Sequence, residues 1–82
     1  MTYLLYVFGT RRDAMALYDL CLRRRLPVSI VNTPREVSAS CGISLRCMRH
    51  YPALDAAARR MPTHVGTFLV REGAAGMQLQ RL

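Results

Sequence analysis

The chain has 82 residues, 51% of them hydrophobic and 21% charged, a composition that suits one small globular unit and argues against the chain as a whole being a disordered tail or low-complexity linker. A net charge of +7 and a pI near 10.4 point toward anionic partners. Yet all 12 cations are arginines scattered from Arg11 to Arg81, with no basic arm, so charge alone does not select a nucleic acid.

The first element, Thr2 to Phe8, is apolar on both parities, with Leu4, Tyr6 and Phe8 on one and Tyr3, Leu5 and Val7 on the other. That pattern predicts a central strand. Thr10, with Asp13 three residues later, predicts a helix start, and Ala14, Leu17, Tyr18, Cys21 and Leu22 form one buried stripe. Arg23, Arg24 and Arg25 suit the carbonyl end of that helix, which Pro27 stops. Val28 to Val31 reads as a short strand and residues 32–42 as a loop. Ile43 to Arg49 alternates, with Ile43, Leu45 and Cys47 on one face. Pro52 opens a second helix with an apolar stripe of Leu54, Ala57, Ala58 and Met61, and Pro62 ends it. Val65 to Val70 is the last expected strand. Residues 72–82, with Gly73, Ala74, Ala75 and Gly76, are expected to form a flexible C-terminal tail.

The order is therefore β-α-β-β-α-β, and the two halves share one layout of strand, helix, Pro and strand. Right-handed crossovers place both helices on one face of a four-stranded antiparallel sheet. The expected fold is α+β and ferredoxin-like, a single domain over residues 1–71. No stretch approaches the ~18 apolar residues of a membrane span. The apolar opening, Met1 to Phe8, has neither basic residues before it nor a cleavage site after it, so no signal peptide is expected. Three cysteines with no CxxC pair fit a reducing cytoplasm better than a disulfide framework.

The 32–42 loop is the informative segment. It joins two strands of a hairpin, where two to five residues are usual, and long ordered loops are disproportionately functional. It ends in Cys41-Gly42, after Arg35, Ser38 and Ser40. Gly42 can adopt backbone angles closed to other residues and so present amide N–H groups to an anion at the Cys41 sulfur; Arg35 would act in the same sense. A free thiol with a pKa of about 8.5 is only slightly ionised at neutral pH, and nearby donors raise its thiolate fraction. Exposure, a cation and backbone donors are what a sulfur nucleophile or carrier needs. The bland alternative is a small residue filling the base of a loop.

The other cysteines read as core, since Cys21 lies on the first helix's stripe and Cys47 shares a parity with Ile43 and Leu45. On an extended strand Cys41 and Cys47 are about 20 Å apart, too far for a disulfide or a shared metal. His50 and His64 are read as solvated loop positions, and their spacing matches no zinc pattern. No metal and no cofactor is expected.

The run from Pro34-Arg35 through Ser38-Ala39-Ser40-Cys41-Gly42 to Leu45-Arg46 resembles the signature of a small prokaryotic family of selenium/sulfur carrier-like proteins. An aromatic-rich first strand and the helix opening Thr10-Arg11-Arg12-Asp13-Ala14 carry the likeness further, so that it covers residues 2–70. It implies a thiol, Cys41, that holds sulfur or selenium as a persulfide or perselenide, with Arg35, Ser40 and Gly42 around the bound atom. It also implies sulfur or selenium donor and acceptor proteins as partners. The chain departs from the family in lacking the lysines and acidic residues common in its helices.

A competing reading is a module without chemistry that binds protein or RNA. The sheet face without helices should carry Tyr3, Leu5 and Val7 or the opposite parity, and an apolar patch there favours a homodimer. Nucleic acid ranks below protein as a partner: Tyr3 and Arg46 would serve, but the aromatic-Gly-aromatic signature of the RNA-recognition module is missing. A heavy-metal chaperone would need two thiols in the first loop, where Gly9 to Asp13 has none. A carrier is favoured over a true enzyme, since there are no paired carboxylates, phosphate cradle or nucleophile elbow.

Overall fold

A computed structural model describes residues 1–37 and 42–82. They form β1 (Thr2–Phe8), α1 (Arg11–Arg23), β2 (Val28–Asn32), β3 (Ile43–Cys47), α2 (Pro52–Arg60), β4 (His64–Gly73) and β5 (Gly76–Arg81). All five strands join one sheet in the order β2-β3-β1-β4-β5, and every neighbouring pair is antiparallel. The protein is thus α+β, with two helices and a five-stranded antiparallel sheet.

β1 is the central strand, as its two-sided apolar pattern predicts. Leu4, Tyr6 and Phe8 pack with Leu45 and Cys47 of β3 against Ala14, Leu17 and Cys21 of α1 and Leu54, Ala57 and Ala58 of α2. Tyr3, Leu5 and Val7 point to the other face, beside Phe68 and Val70. Period-two side-chain alternation sends a strand's residues to both faces, and only a strand covered on both can be apolar throughout. One polar atom lies inside this arrangement. Among the described residues the Tyr6 hydroxyl has no hydrogen-bond partner although the side chain is fully buried, and burial pushes its phenol above the ordinary value.

α1 begins as its sequence predicts, with the Thr10 hydroxyl accepting from the Asp13 backbone N–H at 3.3 Å. Its end is tighter than expected. The helix stops at Arg23, Arg24 caps it, and Arg25 takes a left-handed φ of 57°. Arg25 N donates to Leu22 O (3.2 Å) and Leu26 N to Cys21 O (2.8 Å), the paired bonds of a Schellman ending with arginine where glycine is usual. α2 opens on Pro52, which suits the first helical position.

Two expectations are corrected. The sheet has five strands, not four. The residues expected to form a tail are instead the end of β4 and the whole of β5: Gly73 pairs with Gly76 across Ala74-Ala75, and β5 runs back along β4 to the pair Phe68–Arg81. Gly76 has φ +111°, a conformation glycine reaches without the Cβ penalty, so the glycine that suggested flexibility makes the hairpin. Met77 and Leu79 alternate with Gln78 and Gln80 on this edge strand, the one-sided pattern of a strand with a solvated face.

Candidate functional site

The overlong loop leaves β2 and returns to β3 through a closed neck. Thr33 N donates to Gly42 O at 3.0 Å, and the Thr33 and Ser44 hydroxyls lie 2.6 Å apart. The chain turns at Pro34, whose carbonyl accepts from Val37 N at 3.1 Å. Val37 then drops onto the helix-free face, where it is 8% exposed among Tyr3, Leu5, Val7, Phe68 and Val70. A single valine anchors the loop's first half to the sheet.

Of the site residues expected from sequence, Cys41 and Ser40 lie outside the described residues, as do Ser38 and Ala39. Arg35 is exposed on the turn beside the helix-free face. Gly42 is also exposed, its carbonyl is used in the neck, and no described atom lies within 4 Å of where a Cβ would stand.

Between this loop and the sheet runs a groove of about 370 Å³, with Tyr3, Arg35, Glu36, Arg46, Glu72 and Met77 among its walls. Tyr3 organises it. The Tyr3 hydroxyl donates to Glu72 Oε1 at 2.5 Å, and the Arg46 guanidinium lies 5.6 Å from the centre of the Tyr3 ring, within cation–π reach. Burial first, then the Glu72 hydrogen bond, push the Tyr3 phenol up to about 12, with Arg46 pulling the other way. The sequence alone puts Tyr3 on the open sheet face and Arg46 at the end of the loop's signature, pairs the two only under a nucleic-acid alternative, and leaves Glu72 in the expected tail. The signal for Arg46 was its parity, opposite to Ile43, Leu45 and Cys47.

The helix-free face does not present the apolar patch that favoured a homodimer. Within one chain Leu5, Val7 and Val70 are fully buried, and Tyr3 and Phe68 are 6% and 7% exposed. Arg81 stacks on Phe68 at 4.8 Å from the ring centre and donates to Val65 O at 2.9 Å. Both aromatic rings of this face therefore already carry a guanidinium.

The two described thiols are free and fully buried, as their parity and stripe predicted. Burial pushes the Cys21 thiol up, with the nearby Cys47 sulfur adding to the effect, and Cys47 Sγ is 3.4 Å from Pro27 O. Of the two histidines, His50 is exposed as expected. His64 is not a solvated loop residue. It begins β4, meets the Phe8 ring edge-on at 5.9 Å between ring centres, and lies 3.0 Å from the Thr67 hydroxyl, and burial lowers its pKa. Among the described residues no three His, Cys, Asp or Glu side chains gather as a metal site, and no helix is long and apolar enough to cross a membrane.

At the start of α1 a polar knot joins the two halves of the fold. Asp13 Oδ2 accepts from the Thr63 backbone N–H (2.8 Å) and hydroxyl (2.6 Å), and Thr10 N donates to Thr63 Oγ1 at 3.2 Å. In the Thr10-Arg11-Arg12-Asp13-Ala14 segment, Thr10 and Asp13 thus tie the β1–α1 turn to the α2–β4 turn.

The loop that carries Cys41 in the sequence is closed at its neck by Thr33 and Gly42, while the other two thiols, Cys21 and Cys47, are fully buried. The chain belongs to the family described as "Putative Se/S carrier protein-like", whose family model matches residues 3–58. The match spans β1 to α2 and includes the entire loop with Cys41. No curated protein and no solved structure gives a significant match.

Proposed function

We propose that the chain is a sulfur or selenium carrier that uses Cys41 as its transfer thiol, on a ferredoxin-like βαββαβ unit extended by a fifth strand. The observation that carries this reading is the state of the other two thiols. Cys21 and Cys47 are fully buried, and the Cys21 thiol is held above its ordinary value, so neither suits nucleophilic transfer. Within a family named for carrying these elements, the chemistry falls to Cys41.

In the transfer step the Cys41 thiolate attacks the terminal sulfur of a donor protein's persulfide. Its lone pair forms the new S–S bond, the donor's S–S bond breaks, and the donor leaves as a thiolate. The product is Cys41–S–SH, and the same exchange with a perselenide gives Cys41–S–SeH. An acceptor thiolate removes the terminal atom by the reverse logic, so no external oxidant or reductant enters. Arg35, Ser40 and backbone amides near Gly42 are assigned to stabilising the anion, since charge-assisted hydrogen bonds are the stronger kind. Donor and acceptor proteins in a reducing cytoplasm are the partners this chemistry calls for.

Mass spectrometry of peptides after incubation with a cysteine desulfurase and cysteine tests the assignment. The expected result is one added sulfur atom on the Cys41 peptide, lost in Cys41→Ser. Addition on Cys21 or Cys47 alone, or on none of the three, overturns it. pH-dependent alkylation gives a second readout, with Cys41 reacting as a thiol below the ordinary pKa of about 8.5 and the two buried cysteines as slow internal controls.

A further inference from the structure

The groove beside the loop combines features that the carrier reading does not use. It is lined by a cation and a carboxylate that both depend on Tyr3: Arg46 over the ring face and Glu72 on the hydroxyl. These opposite charges do not neutralise each other. Among the described residues the ion pair present is Arg59–Asp55, while Arg46, Glu72 and the groove's second charged pair, Arg35 and Glu36, form none. Val31 at one end and Met77 at the other add apolar side chains to its lining, and the volume is about 370 Å³. That lies at the small end of the ~300–1,000 Å³ range of ligand sites, which typically pair apolar walls with a few placed polar groups.

We propose that this groove binds a free α-amino acid as its zwitterion, with Arg46 receiving the carboxylate and Glu72 receiving the ammonium on either side of Tyr3. A guanidinium prefers a carboxylate's planar pair of acceptors, and a carboxylate already accepting from a tyrosine hydroxyl keeps further lone pairs for an ammonium. A ligand with one charge would satisfy one wall and leave the other unmatched, whereas a zwitterion meets both. Two members of the class, cysteine with its sulfur and selenocysteine with its selenium, place a chalcogen on the same ligand. The site itself is built from residues other than Cys41 and stands independently of persulfide formation.

The test is an amide-resolved NMR titration of the Cys41→Ser chain with L-cysteine under reducing conditions. Two comparators are used: 3-mercaptopropionate, which lacks the ammonium, and cysteamine, which lacks the carboxylate. Saturable shifts at Arg35, Arg46, Glu72 and Met77 are expected with L-cysteine, with each comparator weaker by about tenfold, the scale of one lost charge-assisted contact. Arg46→Gln should abolish the preference over cysteamine and keep that over 3-mercaptopropionate, and Glu72→Gln should do the reverse while keeping an acceptor for Tyr3. Equal binding of L-cysteine and 3-mercaptopropionate would reduce the groove to an anion site and overturn the proposal. So would shifts elsewhere, or none that saturate. Because Cys41 is absent from the titrated chain, these outcomes are separate from the fate of the carrier reading.

Discussion

Arg25 is the residue that works hardest against its own preferences. It holds φ 57° at the end of α1, a left-handed conformation that costs an L-residue with a Cβ roughly 1–2 kcal/mol. The bonds that compensate, Arg25 N to Leu22 O and Leu26 N to Cys21 O, involve only backbone and survive substitution. Arg25→Gly should therefore stabilise the protein by about 1 kcal/mol, raising Tm by about 4–8 °C in a chain of this size, as read by thermal unfolding. Asp13 acts in the opposite sense on pH. The Thr63 hydroxyl and backbone N–H hold its carboxyl below the usual range. A depressed carboxylate contributes stability that is complete above its unfolded pKa and is lost as pH falls through the lower, folded value. Asp13→Asn should thus lower Tm near neutrality and flatten the decline below about pH 4. A Tm series across acid pH reads this, and an unchanged acid limb would assign the decline to other groups.

At the scale of elements the loop between β2 and β3 depends on two independent fixtures, the Thr33–Gly42 neck and the Val37 anchor. Removing two methyl groups from the anchor with Val37→Ala should cost about 1–2 kcal/mol. Hydrogen exchange at the Thr33 amide should hold its protection if the neck stands alone, and lose it if the anchor maintains the neck. How legible these elements were follows from how much sequence each used to declare itself. β1 carries six apolar residues, Tyr3 to Phe8, on both parities, and its expected bounds match to the residue. The loop was legible by its length and its Cys-Gly ending. That it lies on the sheet was not, because one valine among polar neighbours carries no periodicity. β5 failed for a related reason: Met77 and Leu79 are a two-residue signal behind Gly-Ala-Ala-Gly, and that run reads as a linker until the hairpin partner β4 is known. The α1 ending misled differently, since arginine at a left-handed position has no sequence signature.

For the whole molecule, β5 has a consequence larger than its exposure suggests. It covers the outer edge of β4 through the ladder from Phe68–Arg81 to Gly73–Gly76, and Leu82 N reaches Thr67 O at 2.9 Å. A chain ending after Gly73 would leave β4 as an unprotected edge, with its backbone donors and acceptors available to another chain. Such a truncation should lower Tm by about 10 °C or more, the equivalent of roughly 2 kcal/mol, and raise the apparent mass in light scattering with increasing concentration. An unaltered melting curve would assign β5 a role outside the folded core. The site was less legible at this scale than the fold, since it draws on β1, β3, β4 and the loop together. Tyr3, Arg46 and Glu72 are far apart in sequence and meet only once the sheet order is known.

The arginines over Tyr3 and Phe68 give the chain's lysine-free composition a physical use. A flat, weakly hydrated guanidinium can lie against an aromatic ring while still facing water, which a compact ammonium does less well. On the uncovered side of this sheet the cations therefore serve as a wettable coat over oily rings. Exchanging both for glutamine should leave the backbone's path intact and increase self-association, so the damage would show in colloidal behaviour before it showed in unfolding.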